Sequence, residues 1–183
     1  MLMTERLYYQ DSFLYDFDAE VIEVVPPSGS ESHTAVVLDR TAFYPTSGGQ
    51  VFDTGLLGFA GRQARVVEVA EVEDGSIRHY LDEWLDLKSG TVVHGSVDAG
   101  RRRDHMQQHS GQHVLSAAFV RLFNMATVSF HMGDDYCSID LDAKKISPDH
   151  MEAVERLANE VILEDRAVEI RFVSHQDARE LEL

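Results

Sequence analysis

Arg101-Arg102-Arg103-Asp104-His105-Met106-Gln107-Gln108-His109-Ser110-Gly111-Gln112-His113-Val114-Leu115-Ser116-Ala117-Ala118-Phe119-Val120-Arg121-Leu122-Phe123 decides how the chain divides. Val114, Leu115, Ala118, Phe119, Leu122 and Phe123 fall at i, i+1, i+4, i+5, i+8 and i+9, one face of an α-helix. The spacing predicts a helix over about 103–123. Before it, up to about Val97, the chain reads as strands and turns. Val21-Ile22-Glu23-Val24-Val25 is β-rich and stops at Pro26-Pro27-Ser28-Gly29-Ser30, and Thr34-Ala35-Val36-Val37-Leu38 follows, a predicted hairpin. Leu56 to Phe59, Gln63 to Val69, Ser76 to Leu81 and Thr91 to Val97 are further short strands bounded by Gly, Asp or Ser.

Many short strands with few helices predict a small barrel or sandwich. After the helix, Ser138-Ile139-Asp140-Leu141-Asp142 alternates as a half-buried strand, and Ser147-Pro148 supplies an N-cap and first helical position. Met151, Val154, Leu157, Ala158, Val161 and Ile162 carry a second helix to about Asp165, and Val168 to Val173 reads as a last strand. The expected fold is α+β: a β-barrel-like domain over 1–98, then a two-layer α/β domain over 99–183.

Hydrophobic residues make up 44% and charged residues 26% of the 183, enough to bury a core. No run approaches the roughly 18 apolar residues of a membrane span, and Met1 to Arg6 lacks the regions of a signal peptide, so a soluble cytoplasmic protein is expected. The single cysteine, Cys137, excludes an internal disulfide and suits a reducing compartment. Any metal site must then lean on the nine histidines. The net charge of −16 argues against non-specific binding to nucleic acid. A local basic patch can still hold one nucleic-acid end, because exposed charges are screened beyond about 8 Å. Arg101-Arg102-Arg103 is the dense patch, and a solvated turn or salt bridges to the abundant carboxylates are the other readings of it.

Histidines four apart lie one turn apart on one helix face and can share a metal ion. His109 and His113 have that spacing, and so do His105 and His109. Chance yields about 0.4 such pairs at this histidine content but only about 0.02 triplets, so the triplet is informative. A His- and Gln-rich solvated or core-edge face is the alternative. No glutamate follows His109, which excludes the zincin pattern. In Thr41-Ala42-Phe43-Tyr44-Pro45-Thr46-Ser47-Gly48-Gly49-Gln50, Gly48 and Gly49 allow a tight loop whose N–H groups can approach a ligand. An ordinary inter-strand turn is the other reading.

Phe43 to Gln50 followed by Asp53-Thr54-Gly55, then His109-Ser110-Gly111-Gln112-His113-Val114-Leu115 and Phe130-His131-Met132-Gly133, resembles the alanyl-tRNA editing proteins, free-standing relatives of the editing domain of alanyl-tRNA synthetase. The likeness covers essentially the whole chain in matching order. It implies a barrel-like N-terminal domain carrying the Gly-rich motif and an α/β editing domain with a Zn2+ site. It also implies hydrolysis of the ester in mischarged Ser-tRNA(Ala) or Gly-tRNA(Ala), the tRNA(Ala) acceptor end as partner, and, at the level of the wider family, ATP binding.

On this resemblance His109 and His113 are metal ligands and catalytic, and Gly48, Gly49, Arg101, Arg102 and Arg103 meet the tRNA. Thr127 and Ser129 are candidates for sensing the serine hydroxyl that cognate alanine lacks, with plain strand or turn polarity as their other reading. The family's second zinc half-site, a cysteine and a histidine four apart in a Cys-Gly-Gly-Thr-His stretch, has no counterpart here: Leu141 stands four residues after Cys137. The expectation is a C-terminally incomplete editing domain that binds zinc weakly, is inactive or nearly so, and self-associates through uncovered apolar surface. A non-catalytic tRNA-end or partner-binding module, and an unrelated His-based metal hydrolase, are the competing readings.

Overall fold

Alternation of apolar and polar residues in the first half builds strands with one buried face. The structure, a computed structural model, describes residues 4–27, 32–133 and 136–179. Ser28, Gly29 and Ser30 of the predicted hairpin turn lie outside the described residues, as do Met1 to Met3 and Glu180 to Leu183. Strands β1 (Glu5–Arg6) and β4 (Arg40–Thr41) form a short parallel pair. Strands β2 (Asp16–Val25), β3 (Thr34–Leu38), β5 (Gly55–Phe59), β6 (Arg62–Glu71), β7 (Ile77–Leu81) and β8 (Val92–Val97) close into a barrel in the order β2-β3-β7-β6-β5-β8. Each of the five strands predicted before Val97 after the hairpin's first is present, and β2 begins earlier than the sequence suggested. Closure leaves these strands no free edge. Val21, Val36, Leu38, Leu57, Val66, Val69 and Ile77 fill the interior. Gly55 is required by close approach: a Cβ there would stand 2.1 Å from the Ser96 carbonyl oxygen on β8.

His79 lies in this core fully buried. Its Nδ1 is 3.1 Å from the Val36 carbonyl, which only accepts, so Nδ1 carries the hydrogen and Nε2 accepts from the Thr41 hydroxyl at 2.8 Å. Burial lowers its pKa from 6.5 to about 4, against the opposing bond to Val36. The unfolded ring protonates near 6.5 and the folded ring only near 4, so this contribution is complete above pH 6.5 and is lost as pH falls toward 4. At about 1.4 kcal/mol per pH unit the loss reaches about 3 kcal/mol. Denaturant titrations at pH 7 and 4.5 check this: over that interval wild type should lose about 2 kcal/mol more than His79→Asn, which cannot titrate.

Helix α1 (Ala99–Phe123) starts earlier than the predicted 103 because Asp98 caps it, its carboxylate accepting from the Arg101 N–H at 3.0 Å. Asn124, left-handed at φ 51°, ends it. Strands β9 (Thr127–Met132) and β10 (Cys137–Leu141) pair antiparallel, and α2 (Pro148–Leu163) starts at the predicted cap, Ser147 accepting from the His150 N–H. Ala118, Phe119 and Val154 form a second, smaller core between α1 and α2. Among the described residues no helix is long and apolar enough to cross a membrane.

Two expectations need correction. Val168 to Val173 is not a strand: it runs as irregular chain, with Val168 85% and Phe172 78% exposed. Alternation makes a strand only where a partner supplies hydrogen bonds, and among the described residues no strand pairs with this segment. The second concerns Thr127 and Ser129, read together as candidates for the substrate hydroxyl, which lie on β9. Ser129 pairs with Asp140 and Thr127 with Leu141, so Val128 is an extra, bulged residue that breaks the period-2 signal.

Candidate functional site

The Gly-rich motif folds as a tight turn. Ser47 and Gln50 exchange backbone hydrogen bonds of 3.0 Å, and Gly48 and Gly49 between them have φ of 59° and 82°, as a type I′ turn requires. The turn's tip lies on the second half of the chain. A Cβ on Gly49 would come within 3.0 Å of the Phe130 ring, and one on Gly48 within 3.9 Å of His109 Cε1. Gln50, almost wholly buried, places Oε1 3.0 Å from His109 Nδ1.

At the other end of this loop Asp53 is 0% exposed and accepts from the Tyr44 N–H at 2.7 Å. Arg102, 2% exposed, donates to both Asp53 oxygens, to the Ser12 carbonyl at 2.9 Å and to the Ala42 carbonyl. One stripe of α1 is thus fastened to the loop twice, by Arg102 on Asp53 and by His109 on Gln50. His105, between them, is buried, and its Nδ1 has no hydrogen-bond partner among the described residues.

His109 and His113 share a face of α1, as their spacing predicts. Their ring centroids are 5.0 Å apart with 21° between planes, and Phe130 stacks on His109 from β9 at 5.8 Å. Burial, and then the neighbouring His113, lower the His109 pKa below the ordinary histidine value. His113 is exposed and borders a cavity of about 330 Å³ lined by Val114, Ala117, Leu157, Val161 and two arginines, Arg121 and Arg166. An ion about 2.1 Å from one nitrogen of each ring, at a tetrahedral angle, puts ring centres about 5.2 Å apart, close to the separation of this pair. Among the described residues no group of three His, Cys, Asp or Glu is set to hold a metal.

The other sequence candidates divide. Arg102 cannot meet a nucleic acid, because its guanidinium is spent inside the protein; this corrects the reading of all three arginines as a phosphate patch. Arg101 donates to the Phe52 carbonyl at 3.1 Å and covers the Phe52 ring, half-buried. Arg103 is exposed and has no ion-pair partner among the described residues.

The bulge at Val128 separates Thr127 from Ser129. Thr127 turns toward α1 and donates to the Ser116 hydroxyl at 2.7 Å, which also accepts from Gln112 at 2.8 Å. Ser129 lies on the outer face of β9, donating to Asp140 beside His131, while Phe130 faces His109; it is therefore removed from the candidate site. Sequence reasoning missed Gln50 and Asp53 as site-builders, although both stand in the quoted Gly-rich motif. No local signal says which helix residue either one meets.

The family description of the class II (A) tRNA synthetases matches residues 4–101. The alanine–tRNA ligase of Pyrococcus furiosus is 38% identical over 180 residues, 97% of this chain but 19% of the ligase. The alanyl-tRNA editing protein AlaX-M of Methanosarcina acetivorans is 35% identical over 97% of this chain and 73% of its own length. AlaX-L of Pyrococcus horikoshii is 34% identical over 92% of this chain and 41% of its length. The chain thus spans about a fifth of the ligases it matches and most of the AlaX-M proteins. With the Gly-rich turn seated on the paired histidines, and with a likeness running through both halves, the chain belongs to the alanyl-tRNA editing protein family, within the class II (A) tRNA synthetases.

Proposed function

We propose that this protein acts in trans on mischarged tRNA(Ala), hydrolysing the aminoacyl ester of Ser-tRNA(Ala) or Gly-tRNA(Ala) in the cytoplasm. The observation that carries the reading is the contact of Gln50 with His109, which joins, across 59 residues, the two motifs by which the chain resembles editing proteins. His109 and His113 would hold two corners of a Zn2+, which supplies Lewis acidity or a template for the ester carbonyl. The described residues leave the other corners open.

The chain's own groups do the rest. The Gly48-Gly49 tip, free of Cβ atoms, lets an acceptor end come close to His109. Thr127, Ser116 and Gln112 form a polar cluster one helix position from His113, suited to a substrate hydroxyl. A site built for that hydroxyl rejects alanine because its polar groups are then left unpaired. The exposed apolar residues Leu163, Val168 and Phe172 are the surface through which copies would associate.

Incubating the zinc-supplemented protein with Ser-, Gly- and Ala-tRNA(Ala) tests the proposal. Release of serine or glycine with Ala-tRNA(Ala) spared bears out the hydrolytic reading and overturns the expectation, drawn from the absent Cys-x-x-x-His half-site, of a nearly inactive chain. Binding of all three without release would favour the second reading, a non-catalytic tRNA-end module, for which the two-donor metal half-site speaks. Arg101 and Arg103 are the remaining phosphate candidates. Their double replacement by glutamine should lower the slope of log K against log salt by about 1 per lost phosphate contact. An unchanged slope would leave both as surface charge.

A further inference from the structure

The amide of Gln50 meets His109 through its oxygen, 3.0 Å from Nδ1. An amide oxygen can only accept, so the hydrogen of this bond belongs to the ring, and the neutral imidazole is the Nδ1–H tautomer. An isolated histidine side chain in water prefers the opposite form, with the hydrogen on Nε2. The protein therefore imposes a choice on His109, and the loop is built to hold it. Gln50 is 6% exposed, its backbone is locked to Ser47 by two hydrogen bonds, and the glycine tip is pressed against Phe130. The buried Asp53–Arg102 pair ties the end of the same loop to α1 two turns before His109.

We propose that Gln50 is a positioning residue that selects the Nδ1–H tautomer of His109 and so leaves its Nε2 lone pair as the ring's free ligand atom. The proposal deepens the reading of His109 as a metal ligand and rests on it for its purpose, but not for its measurement. Ligating histidines are commonly fixed in this way by an acceptor on the other ring nitrogen. His113 has no such acceptor among the described residues, which makes His109 the ring whose orientation is set before any ion arrives.

The tautomer is read directly from long-range nitrogen–proton NMR correlations of the histidine rings in metal-free protein at about pH 8, above the ordinary histidine pKa. Wild type is expected to show His109 as Nδ1–H. Gln50→Leu, with similar bulk and no acceptor, should move the tautomer ratio at least about tenfold toward Nε2–H, and Gln50→Glu, which keeps an oxygen at the same reach, should retain Nδ1–H. Titration with zinc alone should show an affinity about 10–100-fold weaker in Gln50→Leu and near wild type in Gln50→Glu.

An Nε2–H ring in the wild type overturns the proposal whatever the variants do, and so does an unchanged tautomer in Gln50→Leu. The measurement uses neither tRNA nor metal. A chain with the expected tautomer that releases nothing from either Ser-tRNA(Ala) or Gly-tRNA(Ala) refutes the hydrolytic function and leaves the positioning role. A chain that hydrolyses Ser-tRNA(Ala) with His109 as Nε2–H refutes the positioning role alone.

Discussion

Asp53→Ala should lower the stability of the fold by about 3–5 kcal/mol, the cost of leaving a buried charge without its partner. The Arg102 guanidinium lies 2.9 Å from one Asp53 oxygen through Nε and 2.5 Å through a terminal nitrogen, with neither group exposed to water. Two charges removed from solvent gain little net stability from each other, since their desolvation offsets most of the attraction. Removing one of them forfeits the attraction and keeps the desolvation of the other. Arg102→Ala should therefore be as harmful as Asp53→Ala, whereas Asp53→Leu with Arg102→Met should lose clearly less than the two single losses combined.

Denaturant unfolding of the four proteins compares these losses. A single variant within about 1 kcal/mol of wild type would mean that water reaches the pair and that it does not clamp the loop to α1. The clamp also gives the experiment a bearing on the site. Asp53 holds the Tyr44 N–H as well as Arg102, so its loss frees both the entrance of the Gly-rich loop and its attachment to the helix.

On the proposed hydrolysis, His109→Ala should reduce kcat/KM for Ser-tRNA(Ala) by about a thousandfold or more, about 4 kcal/mol of transition-state stabilisation. Its effect on folding should be small. The half-buried ring loses one hydrogen bond, to Gln50, and stacking with His113 and Phe130, about 1 kcal/mol in all. Deacylation assays and thermal unfolding of the same preparation separate the two effects. A fall in activity matched by collapse of the fold would make His109 a structural residue, and full activity after loss of stoichiometric zinc would make the metal dispensable.

Much of the secondary structure was legible in the sequence because it is set by neighbours a few residues apart. Short β-rich runs bounded by Gly, Asp, Ser or Pro marked the strands of the barrel, and the i, i+4 apolar stripe marked α1 and α2. Ser147 with Pro148 gave the start of α2, and the four-residue spacing put His109 and His113 on one face with no knowledge of the fold. The early start of α1 is a local matter too, since Asp98 caps it, although the first apolar residue of the stripe lies far downstream.

Tertiary structure decided what the local pattern leaves open. Arg101, Arg102 and Arg103 are chemically alike, but only the middle one meets the helix face turned toward Asp53, where burial compels an ion pair. Thr127 and Ser129 should share a strand face by alternation, and a single bulged residue sends them to opposite sides. Val168 to Val173 alternates as a strand should and pairs with no strand among the described residues, because alternation sets the faces of a strand while its hydrogen-bond partner is supplied by distant chain. The contact of Gln50 with His109 spans 59 residues and depends on barrel closure, loop conformation and helix rotation together. Periodicity and capping are consequences of local sterics and local hydrogen bonds and can be read along the chain, whereas pairing across the fold is chosen by the whole packing at once.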